Sequence, residues 1–224
     1  MPYVATSTVV AGQTYSASAH NVIVNDVIDH EARINQYAGV YTNEAARDAA
    51  ITSPTEGMRV YLTAPTVPAA TSGGYTAVPT GIQTIYNGSV WVCVTEIGAG
   101  RIGPTGCNST STSYATTLTS DSTAISVTLV TGTTANVSFG VSAYGSTSVV
   151  PSATISVSGA TTLAASDNYG IVADQPSAQQ MSVATNYVLT GLTAGTNTFT
   201  LNYRSSTGSA VTFVRRHLVV KGVA

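Results

Sequence analysis

From about residue 112 to the end of the chain, apolar residues recur at every second position in short runs separated by turn residues. Ile125, Val127 and Leu129 alternate. So do Val137, Phe139 and Val141, then Ile155 and Val157, then Phe199, Leu201 and Tyr203, then Val211 and Phe213. A period of two puts one set of side chains on one face of an extended strand and the intervening polar residues on the other. No helical pattern interrupts the series, which excludes a parallel α/β sheet. The spacing predicts an antiparallel β-sandwich over residues 112–224. Leu218 and Val220 stand on the opposite parity from Val211 and Phe213. One strand face cannot hold both sets, so a bulge or bend is expected near Arg215 to His217.

The preceding half reads differently. Residues 1–17 form a polar, β-tending arm. Residues 18–36 read as a helix with Ser18 as N-cap and Asp26, Asp29 and Glu31 keeping one face wet. His20, Ile23, Val27, His30 and Ile34 recur at spacings of three and four. That is the seam of a short coiled coil, or equally the apolar stripe of a helix packed on its own domain. So short a seam does not hold in isolation, but it can line a symmetry axis inside an assembly.

Residues 37–97 read as a small β-hairpin module for attachment. Residues 43–51 suggest a short helical turn, Ser53-Pro54-Thr55-Glu56-Gly57 a turn, and residues 58–63 a strand. Residues 64–81 make a loop. Residues 82–94 make a hairpin around Asn87-Gly88, because both residues tolerate positive φ. Trp91, the single tryptophan, is the expected anchor of this module together with Asn87 and Gly88. Residues 98–111, with their Gly and Pro, read as a linker.

Charge and chemistry narrow the function. Only 8% of residues are charged, against about 25% in typical domains. With 43% hydrophobic residues and a net charge of −2, the chain does not read as disordered. Eight scattered Lys and Arg give no phosphate track, so nucleic acid is not an expected partner. No basic start and no apolar run near the length of a membrane span is present, so neither a cleaved leader nor membrane insertion is expected. Cys93 and Cys107 read as isolated thiols. Gly98-Ala99-Gly100-Arg101-Ile102-Gly103 matches a dinucleotide-binding spacing, yet Pro104 follows where a helix would have to begin. Three histidines, two of them on the helix seam, give no metal-ligand set, and the sandwich carries only Asp121, Asp167 and Asp174 as carboxylates. No catalytic residue, metal or cofactor is therefore expected. Recognition is easier to support: Tyr144, Asn168 and Tyr169 are the candidate loop-exposed ligand contacts, Tyr being suited to stacking on sugars.

Two stretches carry a resemblance. Residues 42–63, Thr42-Asn43-Glu44-Ala45-Ala46-Arg47-Asp48 through Pro54-Thr55-Glu56-Gly57-Met58-Arg59-Val60-Tyr61-Leu62-Thr63, followed by Ile85-Tyr86-Asn87-Gly88-Ser89-Val90-Trp91, resemble a small module of tailed-phage fibre, collar and minor structural proteins. The usual short link between its two strands is replaced by the 64–81 insert. Residues 189–204 and the late run Arg215-Arg216-His217-Leu218-Val219-Val220 look like the last strands of a phage fibre-head sandwich, jelly-roll-like or immunoglobulin- and fibronectin-III-like. The resemblance implies a non-enzymatic virion protein made in the host cytoplasm. It implies a homotrimeric fibre or spike subunit that attaches to other virion proteins by its N-terminal half and projects the sandwich, with host surface glycans as candidate ligands. The alternatives are a capsid-decorating or head-fibre protein and a secreted bacterial adhesin or carbohydrate-binding module.

Overall fold

The structure is a computed structural model that describes residues 37–70, 75–103, 107–146, 148–174 and 179–224, together with Asn25. The arm at 1–17 and the seam residues His20, Ile23, Val27, His30 and Ile34 lie outside the described residues.

The module opens with β1 (Tyr37–Tyr41) and α1 (Glu44–Ala50). Asn43 starts the helix in an extended conformation, and its side-chain oxygen accepts from the Ala46 amide at 3.0 Å. This satisfies one of the donors that a helix start leaves open. Next come β2 (Arg59–Leu62), β3 (Ala69–Ala70), β4 (Tyr75–Ala77), β5 (Ile82–Tyr86) and β6 (Trp91–Cys93). Strands β1, β2, β5 and β6 make a four-stranded sheet in that order. The β5–β6 hairpin turns at Asn87-Gly88: Gly88 has φ +86°, and the Asn87 Oδ1 accepts from the amides of Ser89 and Val90 at 3.1 and 2.9 Å. The side-chain acceptor holds the turn that glycine's free φ permits.

The remaining strands are β7 (Ile97–Ile102), β8 (Asn108–Ser109), β9 (Ser126–Thr131), β10 (Thr134–Gly145), β11 (Pro151–Gly159), β12 (Ile171–Val172), β13 (Met181–Thr190), β14 (Gly195–Ser205) and β15 (Val211–Val223). One sheet runs β13-β10-β15-β7-β4, with β8 also paired to β15. The other runs β12-β11-β14-β9-β3. With β7 and β9 to β15 renumbered one to eight, the two sheets read 7-15-10-13 and 9-14-11-12, that is one-eight-three-six and two-seven-four-five. This antiparallel order is that of a jelly roll, not the immunoglobulin order. The alternating residues of the sequence fill the space between the sheets: Val127, Leu129, Val137, Phe139, Ile155, Phe199, Leu201, Tyr203, Val211 and Phe213 are all fully shielded from solvent.

Two expectations change. Residues 98–102 are not a linker: they belong to β7, which pairs with β15 on one side and β4 on the other. Gly98 and Gly100 are strand residues, paired with Val219 and His217 of β15. The module and the sandwich are also not separate domains, since β3, β4 and β7 supply strands to the jelly-roll sheets and Ala38–Ala224 is one compact unit. The break in β15 falls at Val214, one residue before the expected window. Ser142 pairs with Arg215 and Ala143 with Phe213, which leaves Val214 unmatched, its carbonyl accepting from Gly103 at 2.7 Å. Beyond the bulge the parity is reversed, so Arg216 faces inward with Phe213.

Candidate functional surfaces

The outer face of the large sheet follows from its register. Across β13, β10, β15 and β7 the rows are Ser182-Ser142-Arg215-Ile102, Ala184-Gly140-His217-Gly100 and Asn186-Ser138-Val219-Gly98, with Val188-Asn136-Lys221 beyond. Most of these residues are small and uncharged, so the face is low in relief. It carries Arg215, His217 and Lys221 and no carboxylate at these positions. A side chain at Gly140 would run into His217 and come within 2.9 Å of the Ala184 Cβ, which places the imidazole across the β10 backbone. Burial there pushes the His217 pKa down from its usual range.

Strand β13 ends the sheet. Its ten residues contain no charge and no proline, the features by which natural edges resist pairing. Val188 is 66% exposed on it, and Val172 of neighbouring β12 is 53% exposed. Asp167 and Asp174 flank β12 and are exposed. One rim of the sandwich is thus apolar with acidic flanks, while the adjoining sheet face is cationic.

The module anchor builds a different feature. Trp91 is buried, its ring 5.4 Å from that of Tyr86, and the Arg47 guanidinium of α1 lies 4.8 Å from its centroid. Arg47 is itself buried, and its Nε donates to the Asp48 Oδ1 at 2.8 Å. A pocket of about 320 Å³ opens beside this stack, between the module and β9 and β14 of the jelly roll. Glu44 forms part of the wall. Its Oε2 accepts from the Thr66 amide and hydroxyl at 2.9 and 2.8 Å, and its Oε1 from the Val67 amide at 3.0 Å. Burial raises the pKa of this carboxyl, but these donors outweigh burial and hold it below the usual range. Asn87 and Gly88 shape the hairpin and do not line the pocket.

The three loop residues expected to act together are not brought together. Asn168 is exposed in the 3₁₀ turn Asp167–Tyr169. Tyr169 packs edge-on to Tyr187 at 6.2 Å, closing the core between β12 and β13. Tyr187 pairs with Val137, whereas Tyr144 lies seven residues further along β10, roughly 24 Å away at the rise of a strand. What the turn does organise is Asp167, which accepts from the Tyr114 hydroxyl at 2.6 Å and from the Arg204 Nη2 at 2.9 Å while Arg204 stacks 5.0 Å over Tyr114. Burial and this bond push the Tyr114 hydroxyl up to about 12. Asp167 is thereby satisfied within the molecule, although the buried Arg204 Nε meets no acceptor among the described residues, and the group reads as a brace for the turn.

Between the sheets, Arg216 and Arg101 both pair with Asp121, and Arg216 lies 5.6 Å from the Tyr203 ring. Sequence reasoning missed this cluster and the pocket, because both join residues far apart in the chain. The parity break in β15 was the one signal that a polar residue would turn inward. Cys93 and Cys107 are free and buried. Among the described residues no group of three or more His, Cys, Asp or Glu is placed to hold a metal ion. No helix among them is long and apolar enough to cross a membrane.

No family model matches the chain. No curated protein matches it either. Among solved structures it is similar to the Eiger TNF of S. frugiperda, with 12% identity and a TM-score of 0.39 over 58% of this chain and 93% of that one.

Proposed function

We propose that this chain is a structural, non-catalytic subunit of a tailed-phage particle, a fibre or spike protein that works as a homotrimer. The observation that supports this reading is the pairing of an open, uncharged edge at β13 with an adjoining sheet face of small residues. An edge without charge, bulge or proline invites a partner. The charges suit a second copy: Asp174 stands beside the rim, and Arg215 and Lys221 stand on the face. Rim on face is a heterologous contact, which either closes into a ring or propagates as a filament. Repeated about a three-fold axis it closes as the proposed trimer. Small residues on the face let the rim of the next copy approach closely, and the few charges add register more than affinity. The module resemblance at residues 42–63 and 85–91 supplies the particle context.

The test is direct. Sedimentation velocity of the purified chain should give a trimer at micromolar concentration, and Val188→Lys should return it to a monomer that keeps the wild-type circular dichroism spectrum. A wild-type chain that sediments as a monomer throughout would remove the assembly. Gold-labelled antibody against the chain should decorate intact phage particles at one seat, and its position separates a tail fibre from a head fibre. Absence of label from particles would remove the virion reading.

A further inference from the structure

The pocket beside Trp91 is built for a ligand of definite chemistry. Asp48 occupies Nε of Arg47, and neither terminal nitrogen of that buried guanidinium meets an acceptor among the described residues. The free end of the guanidinium is a planar fork of donors, the match of a carboxylate held by two parallel bonds. Glu44 in the same wall stays ionised; its Oε2 is filled by the Thr66 amide and hydroxyl, and its Oε1, which accepts from the Val67 amide, keeps one lone pair for a hydroxyl donor. The Glu44 charge opposes any anion, a doubly charged phosphate more than a carboxylate, so the two parallel bonds from Arg47 have to outweigh it. Val67, Val90 and Val130 give the remaining wall an apolar lining that suits the C–H face of a ring. The volume is at the small end of the range for ligand pockets, the scale of one sugar ring and some water.

We propose that this pocket binds a uronic acid, with the carboxylate on Arg47, hydroxyls directed to Glu44 and the ring face on the valines. The site lies at the junction of the module and the jelly roll, away from the β13 rim. Binding is therefore independent of assembly, and either property can fail without the other.

Trp91 is the only tryptophan and lines the pocket, so its emission reports occupancy. Titration of the full chain with glucuronate should change that emission saturably, with a dissociation constant in the millimolar range. Glucose, which lacks the carboxylate, should bind at least tenfold more weakly. Arg47→Lys keeps the charge but loses the fork and should weaken glucuronate at least tenfold. Because Arg47 stacks on Trp91, that variant can lose structure, so Val130→Phe provides a second test. It fills the pocket from the opposite wall and should abolish the response while melting as wild type does. No saturable change with glucuronate, an equal response to glucose, or an undiminished response in a folded Val130→Phe variant would overturn the proposal.

Discussion

The Arg216 Nη2 donates to the Asp121 Oδ2 between the two sheets, where neither side chain is more than 1% exposed. Arg101 joins the same oxygen through Nε at 2.7 Å, and the Thr123 amide donates to the other at 3.2 Å. Taking two charges out of water is costly, and the bonding offsets it only in part, since the buried Arg216 Nε and Nη1 and the Tyr203 hydroxyl meet no hydrogen-bond partner among the described residues. Asp121→Asn leaves the guanidinium buried without its counter-charge. The variant should lose about 3–5 kcal/mol in urea unfolding. The double variant Asp121→Leu, Arg216→Met removes both charges and should lose less than Asp121→Asn alone. A double variant that loses as much as the two single changes added together would show that the pair is not coupled.

The same carboxylate sets an acid limit. Burial raises the Asp121 pKa, but the Arg216 hydrogen bond, the Thr123 amide and the charges of Arg216 and Arg101 outweigh it, and the net shift is downward. A depressed folded-state pKa gives stability that is fully present above the unfolded value, about 3.9, and lost as pH falls through the folded value. Glu44 is shifted the same way and adds the same sign. The urea midpoint should therefore decline modestly from pH 7 to about pH 5, where the unfolded chain takes up a proton at His217 before the folded chain does, and fall more steeply below about pH 4. In Asp121→Asn the acid fall should be shallower. An unchanged acid fall in that variant would assign it to other carboxylates.

Much of this fold is written in period-two patterns, and these are legible because burial selects them directly. Val137, Phe139, Leu201 and Phe213 are unexposed where the alternation puts them. The Asn87-Gly88 hairpin is legible because so few residues tolerate its backbone. β7 was hidden for the opposite reason. Gly98 and Gly100 look like linker residues, and only their pairing with Val219 and His217 across the sheet identifies them as strand. Asp121 reads as one more loop carboxylate until the Val214 bulge turns Arg216 toward it. The pocket depends on Glu44, Arg47, Trp91 and Val130 meeting across the junction, a property of tertiary packing that no local pattern encodes.

That junction is close-packed at Gly222. A Cβ there would come within 2.6 Å of Val92 Cγ1 and 2.7 Å of the Cys93 carbonyl oxygen. The carbonyl belongs to β6 and cannot rotate away, so the hairpin would have to lift from β15. Gly222→Ala should cost about 1–3 kcal/mol, as overpacking does. In a chain of this size each kcal/mol lowers the melting midpoint by about 2–4 °C. Trp91 emission should shift to longer wavelength as the module loosens. A melting midpoint equal to wild type would mean that the junction has more room than the backbone geometry gives it.

The two thiols test the packing from within. Burial, with the Glu44 charge adding to it against the bond to the Thr95 carbonyl, pushes the Cys93 thiol up to about 11. Burial likewise raises Cys107, which has no exposed surface. Thiolate is the reactive form, and an unperturbed cysteine has a pKa near 8.5. At pH 8 the folded chain should therefore react with a thiol-specific disulfide reagent at least about a hundredfold more slowly than the chain in urea. Two thiols per chain should be counted in urea without added reductant, since both are free. Rapid labelling of one thiol in the native state would place that residue at an opening of the jelly roll, and a count of zero in urea would replace the free pair with a disulfide.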